Sequence, residues 1–286
     1  MRIHHLNCAT MCPYGARLIH GTGSFFARAR MICHCLLIET REGLILVDTG
    51  LGMGDIADPQ RLGKFVLTMV RPRLEPNETA VQQVMGLGFK VEDVRHIVLT
   101  HLDVDHAGGL ADFPKARVHI LGKEYQAAMH PQTFLERHRY IQAQWAHDVK
   151  WVQHTVEGEE WLGFERVQAI HSQLTEILLI PLYGHTRGHC GVAIKRPEGW
   201  LLHCGDAYFF HGEMNVDHPH CTIALNLFQR FMEMDRDARL SNQDRLRDLL
   251  RNQGEEVDVF CAHDPMELSR HQTASISVPN REALQN

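Results

Sequence analysis

Thr100-His101-Leu102-Asp103-Val104-Asp105-His106 sets four metal-competent side chains within six residues. It follows the apolar run Ile97–Leu99 and precedes Ala107-Gly108-Gly109, so a strand ends here and the chain turns toward a helix. In sheets covered by helices, ligand-binding groups stand at this carboxyl end of a strand. Four such groups packed together without a cation would be left unsatisfied or in repulsion. Taken alone, the heptad also fits a solvated polar loop.

Outward from the heptad the pattern recurs. Asp48-Thr49-Gly50 follows Leu44–Val47, and Gly184-His185-Thr186-Arg187-Gly188-His189 follows a run ending Ile180-Pro181-Leu182. Gly205-Asp206-Ala207 follows Trp200–Cys204, and Ala262-His263-Asp264 follows Val257–Cys261. Each is singly a common turn or cap. Five strands that each deliver His or Asp at the same end point to one site. Further short runs, Met31–Ile38, Val118–Leu121, Ile177–Leu182 and Val192–Lys195, read as buried strands. Glu78–Leu87, with Asn77 as cap, and Ser241–Asn252 read as helices, and Asp55–Arg73 and Thr133–Trp145 are read the same way. The alternation predicts an α/β protein, one domain over 1–286 with helical inserts near 53–76 and 129–165. From about His271 to Asn286 periodicity is lost, and that stretch is expected to trail over the surface.

The ordered set resembles the motifs of the metallo-β-lactamase superfamily: an early Asp, H-x-H-x-D-H, G-H-T-x-G-H, G-D and a late His. The resemblance runs from about Asp48 to His263 and implies an αββα sandwich with metals at one sheet edge. It implies His101 and His189 as ligands of a first metal, Asp105, His106 and His263 as ligands of a second, and Asp206 as a bridge. Asp48 and His185 would orient ligands, while Thr186 and Gly188 would shape the turn that aims His189. Asp103 replaces the usual second His. As a harder ligand it would turn the first site toward iron or manganese, though a carboxylate also ligates zinc at about 2.0–2.2 Å. Di-iron flavoproteins of the family carry Glu there, beside a flavin domain without counterpart in these 286 residues.

The expected cofactor is therefore two divalent ions, zinc foremost, with a bridging water as nucleophile. The layout looks most like the lactonase branch, whose members open acyl homoserine lactones and related cyclic esters. In that branch a Tyr three residues after the bridging Asp contacts the carbonyl. Phe209 holds that place here, so Tyr208, with Asp105, is the candidate catalytic residue. Phosphodiester or organophosphate hydrolysis, with phosphate held by Arg61, Lys64, Arg71 and Arg73, is the alternative, as is a non-hydrolytic binding or di-iron redox role.

Composition narrows the partners. A formal charge of −6 argues against a nucleic-acid surface, and 21 histidines favour metal. No apolar stretch reaches the roughly 20 residues that span a bilayer, and no apolar signal core opens the chain. A small-molecule substrate, no nucleic acid, no membrane and a cytoplasmic location follow as expectations, with a homodimer open. Cys33 and Cys35, sharing one face of a strand, read as buried packing residues, as do Cys190 and Cys204. Leu6–Pro13 reads as open, polar and turn-rich; together with the apolar and aromatic residues of 53–73 and 129–145 it could form lids or merely cover the sandwich.

Overall fold

The computed structural model describes residues 1–156, 159–171 and 176–276. Six strands form the first sheet, in chain order: β1 (Arg2–Met11), β2 (Met31–Thr40), β3 (Gly43–Val47), β4 (Val94–Val98), β5 (Arg117–Leu121) and β6 (Lys150–His154). The second sheet runs, from edge to edge, β12 (Val257–Phe260), β11 (Gly199–His203), β10 (Cys190–Arg196), β9 (Glu176–Pro181), β8 (Phe164–His171) and β7 (Glu159–Trp161).

The apolar runs are continuous rather than alternating because both faces of each central strand are buried. On β2, Leu36 and Ile38 point inward and meet Ile45, Val47, Leu179, Val192 and Phe260 between the sheets. Leu37 points the other way, onto a layer with Val81, Val84 and Ala127 from the helices Ala80–Gly86 and Gly122–Met129. The second sheet does the same: Leu178, Leu202 and Val259 pack under Leu246 and Leu249 of the helix Arg236–Gln253. The order helix, sheet, sheet, helix is the expected αββα sandwich.

Local chemistry moves several boundaries. Pro59 starts a short 3-10 turn and splits the expected helix 55–73 into Met53–Ala57 and successive single turns to Val70. Thr79, not Asn77, caps Ala80–Gly86, because Pro76 opens a 3-10 turn first. The later helix begins earlier than expected, at Arg236, where the Asp235 carboxylate accepts from Ala238 N–H at 3.0 Å. The expected helix 133–145 shrinks to Phe134–Arg139. Leu6–Pro13 is largely strand: β1 pairs antiparallel with β2, and its polar residues find partners, as in His4 Nε2 to Glu39 at 2.6 Å. Periodicity persists beyond His271 too, since Pro265–Ile276 is helical; 277–286 lie outside the described residues.

Parallel pairing of β3 with β4 and of β11 with β12 sends four strand ends to one edge. β9 joins them because it is antiparallel to β10, which is antiparallel to β11. Cys190 N–H donates to Thr100 O at 3.0 Å and His34 N–H to Ala262 O at 2.8 Å, stitching the sheets together there.

Candidate metal centre

Asp48 sits just past β3 with φ of 54°, a left-handed conformation uncommon for a residue with a side chain. Its carboxylate organises the heptad. One oxygen accepts from Thr100 N–H at 2.8 Å; the other accepts from Thr100 O–H at 2.7 Å and from His106 Nδ1–H at 2.8 Å. Thr100 Oγ1 in turn accepts from His101 Nδ1–H at 3.0 Å. Burial alone would raise the Asp48 carboxyl, but the His106 ring prevails and holds it below the usual range. With Nδ1 spent on these partners, His101 and His106 present Nε2, the nitrogen able to bind a metal.

Asp206, just past β11, stands between two groups. Its Oδ2 lies 3.8 Å from His101 Nε2 and 3.3 Å from His185 Nε2, and Asp103 Oδ2 lies 3.0 Å from His185 Nε2. Its Oδ1 lies 3.2 Å from His106 Nε2 and 3.1 Å from His263 Nε2. His263 is aimed by Nδ1–H donated to Ile32 O at 2.8 Å. Asp105 Oδ2 is 3.7 Å from His263 Nε2, and its side chain, 17% exposed, is the most open of the set. Within this buried cluster His101 Nε2, His106 Nε2, Asp103 Oδ1 and Asp206 Oδ1 have no hydrogen-bond partner. Nitrogen and carboxylate donors converging at these separations, with orphaned atoms facing inward, are the chemistry a divalent cation satisfies. The charges agree: burial depresses an imidazolium, yet Asp206 and its neighbours pull His106 well above its ordinary pKa.

The two histidines of the Gly184–His189 turn differ in their partners. His189 Nδ1–H donates to Leu182 O at 2.8 Å, and its Nε2 accepts from Asp206 N–H at 2.8 Å. Both nitrogens bond backbone groups here, and through them His189 holds the turn that carries Asp206. His185, expected to orient, instead reaches the cluster. The reason is register: His189 O accepts from Leu182 N–H and extends the β9–β10 ladder, whereas His185 rides the loop after Gly184 (φ 133°).

Tyr208 stands apart from the cluster. Its ring lies within the helix-side core and its hydroxyl donates to Glu267 at 3.0 Å, away from the cluster. Phe209 faces the site instead, stacked on His263 with centroids 4.9 Å apart.

Two residues escaped the sequence reading. Glu124 is fully buried. Its Oε1 accepts from Leu102 N–H at 3.0 Å and Tyr140 O–H at 3.2 Å, and its Oε2 from Thr186 O–H at 2.6 Å and Gly188 N–H at 3.1 Å. One carboxylate thus clamps the loop of His101 to the loop of His185. The signal was present, since Glu124 follows shortly after a sixth strand, β5. Arg139, also buried, donates Nη1–H to His185 O at 2.6 Å and bonds Met232 O, with its Nε 3.4 Å from Asp103 Oδ1. It supplies a positive charge where this chain has Asp instead of His, and nothing in its local sequence marks it.

A family profile described as the metallo-beta-lactamase superfamily matches residues 28–263. The chain belongs to the metallo-β-lactamase superfamily. A probable metallo-hydrolase of Mycobacterium tuberculosis is 40% identical over 265 residues, covering 93% of this chain and 81% of that protein. An N-acyl homoserine lactonase of a Bacillus species is 26% identical over 232 residues, covering 80% of each. Among solved structures, an N-acyl homoserine lactone hydrolase with N-hexanoyl-L-homoserine at its catalytic metal centre superposes with a TM-score of 0.69 at 20% identity, covering 94% of this chain and 95% of that one. At that identity the superposition establishes the shared metallo-β-lactamase sandwich. The superfamily and these relatives make the chain a metal-dependent hydrolase. No helix among the described residues is long and apolar enough to cross a membrane.

Proposed function

We propose that the centre holds two divalent cations, zinc foremost, and hydrolyses a lactone or another ester bond of a small substrate. The observation that carries this is Asp206, which stands between two sets of donors: His101 and His185 approach its Oδ2, His106 approaches its Oδ1, and His263 Nε2 lies 3.1–3.2 Å from both oxygens. His101, Asp103 and His185 would share one ion with it; Asp105, His106 and His263 would share the other. Two such ions supply Lewis acidity and an activated water at neutral pH. Charge supports the count. Asp48, Asp103, Asp105 and Asp206 crowd together, against Arg139 as the nearby buried guanidinium, and buried carboxylates without compensation are costly.

The protein's own residues do the positioning. Asp48 and Thr100 fix the imidazoles of His101 and His106, Glu124 ties the two ligand loops together, and His189 aims the Asp206 backbone. Phe209 brings no hydroxyl to the carbonyl, so polarisation would fall to the ions. An apolar layer with Leu51, Val104, Phe209 and Leu225, next in chain or space to the donors, suits an acyl group. The lactone reading rests on this layer and on the Bacillus relative.

Three of the four basic residues of the phosphate alternative have other partners. Arg61 pairs with Asp55 at 3.6 Å, Arg71 lies over the Tyr14 ring at 4.8 Å, and Arg73 reaches Glu75 and Glu78 at 3.7 Å. The test is metal content and turnover of chelated and reloaded protein on lactone, aryl ester and phosphodiester panels. Lactone or ester turnover that vanishes on chelation and returns with metal is the expected result. Preference for phosphodiesters, or metal-independent turnover, would overturn the assignment. Asp206→Ala should empty both halves; full retention of two ions would refute the bridge.

A further inference from the structure

Cys33 lies on β2, only 1% exposed, with its thiol directed at the second half of the centre. Its Sγ is 3.6 Å from Asp105 Oδ2, and the donor atoms of Cys33, Asp105 and His263 all lie within 4.8 Å of one another. The preceding residue, Ile32, is the one whose carbonyl aims His263. Strand β2 therefore carries both a positioning carbonyl and a sulfur to the same half.

The spacing fits coordination. Zinc lies about 2.3 Å from thiolate sulfur and about 2.0–2.2 Å from carboxylate oxygen, so neighbouring ligands at angles of roughly 90–120°, as four- or five-coordination sets them, stand about 3.0–3.9 Å apart. A second observation is independent of the cysteine. His106 Nε2 and Asp206 Oδ1, both buried and unpartnered, point into this same half. His263 belongs to both donor groups and joins them.

We propose that Cys33 is a thiolate ligand of the cation held by Asp105, His106, Asp206 and His263. The inference rests on the two-ion reading above. Binding converts the S–H bond into a sulfur–metal bond and releases the proton to solvent, as ligation by thiol requires. The centre is then chemically lopsided. The half with Asp103 offers nitrogen and oxygen, while the half with Cys33 adds a soft sulfur. Soft sulfur selects zinc over manganese or magnesium, so the two halves should prefer different ions.

The test uses the full chain, stripped of metal and reconstituted with cobalt(II). Wild type loaded with two cobalt ions should show an intense near-ultraviolet thiolate-to-cobalt charge-transfer band. Cys33→Ser should lose the band, and Cys221→Ser, whose sulfur accepts from Gln229 Nε2–H at 3.5 Å and belongs to none of the donor groups, should keep it. X-ray absorption on the zinc-loaded wild type gives a readout independent of any variant. One sulfur at about 2.3 Å for every two zinc ions is expected. Two bound ions with no sulfur signal, or a band that survives in Cys33→Ser, would overturn the thiolate ligand while leaving the two-ion reading intact. Failure to bind any metal would overturn both.

Discussion

Glu124→Gln should loosen the centre without touching a candidate ligand. The carboxylate accepts four hydrogen bonds in a site closed to water, two on each oxygen. An amide must place its NH2 group against one of those pairs. Whichever way it turns, the pair contains one hydroxyl and one backbone N–H. Tyr140 or Thr186 can rotate its O–H and become an acceptor; Leu102 N–H or Gly188 N–H cannot. One buried backbone donor is therefore orphaned, at a cost of about 1–3 kcal/mol. For a chain of this size, about 2 °C of Tm accompanies each kcal/mol, so the metal-free protein should melt about 2–6 °C lower. Metal-loaded protein should lose more. Altering a residue that orients ligands weakens metal affinity by about 10–100-fold, which removes a further ~1.4–2.7 kcal/mol of ligand-linked stability. Calorimetry of chelated and loaded forms, with a competitive metal titration, measures both parts. An unchanged melting temperature with wild-type metal affinity would refute the clamp.

The two histidines of the Gly184–His189 turn should part company on substitution. His185→Ala should deplete metal from the half shared with His101 while the metal-free protein keeps its wild-type unfolding free energy; His189→Ala should lower that free energy by roughly 2–6 kcal/mol, since it orphans Leu182 O and Asp206 N–H. The reverse result would restore His189 as the ligand. Tyr208→Phe should leave kcat and KM unchanged and cost about 1 kcal/mol in denaturant unfolding, the worth of its bond to Glu267; a large fall in kcat would place it back in the chemistry. The inner-face ladder His96–His119–His154 predicts acid sensitivity. Burial first, then the two flanking rings, hold His119 down to about 3. The folded ring stays neutral while the unfolded one protonates near 6.5, so stability is full above that pH and lost as pH falls toward 3. His119→Phe should flatten the slope of stability against pH in this window by up to about 1.4 kcal/mol per unit; identical slopes would show that other groups carry the acid response.

Asp103 illustrates how a departure from family pattern is absorbed. A lone carboxylate in place of imidazole would overload the half it occupies with negative charge. Burial would raise the Asp103 carboxyl, but the Arg139 guanidinium, with His101 and His185 beside it, brings it well below the ordinary range. The same arginine grips the His185 carbonyl, so the charge and the loop position are secured by one side chain.

The chain alone determined where chemistry could occur. Leu44–Val47 and Ile97–Leu99 are apolar throughout, and Trp200–Cys204 and Val257–Cys261 are apolar but for His203 and Asp258, because their faces are largely buried, and that burial is a local composition visible in sequence. Asp48 follows such a run directly and His101, Asp206 and His263 follow after one intervening residue, so their common edge follows once the strands pair in parallel. The N-terminal strand was hidden because His4, His5, Asn7 and Thr10 look like loop residues until β2 is beside them. Tertiary structure alone decided which strand-end residues face inward. His185 and His189 are separated by four residues and share a motif, but the partners that occupy His189, Leu182 O and Asp206 N–H, come from the neighbouring strand and from beyond the next one. Tyr208 and Phe209 differ by one position and point to opposite sides, toward Glu267 and toward His263. Glu124, Arg139 and Cys33 enter the centre from three further segments, and no local pattern encodes which side-chain atoms will meet across a sheet edge. Hydrogen-bond saturation is a property of the assembled edge, and it is saturation that distinguishes His189 from His185 here.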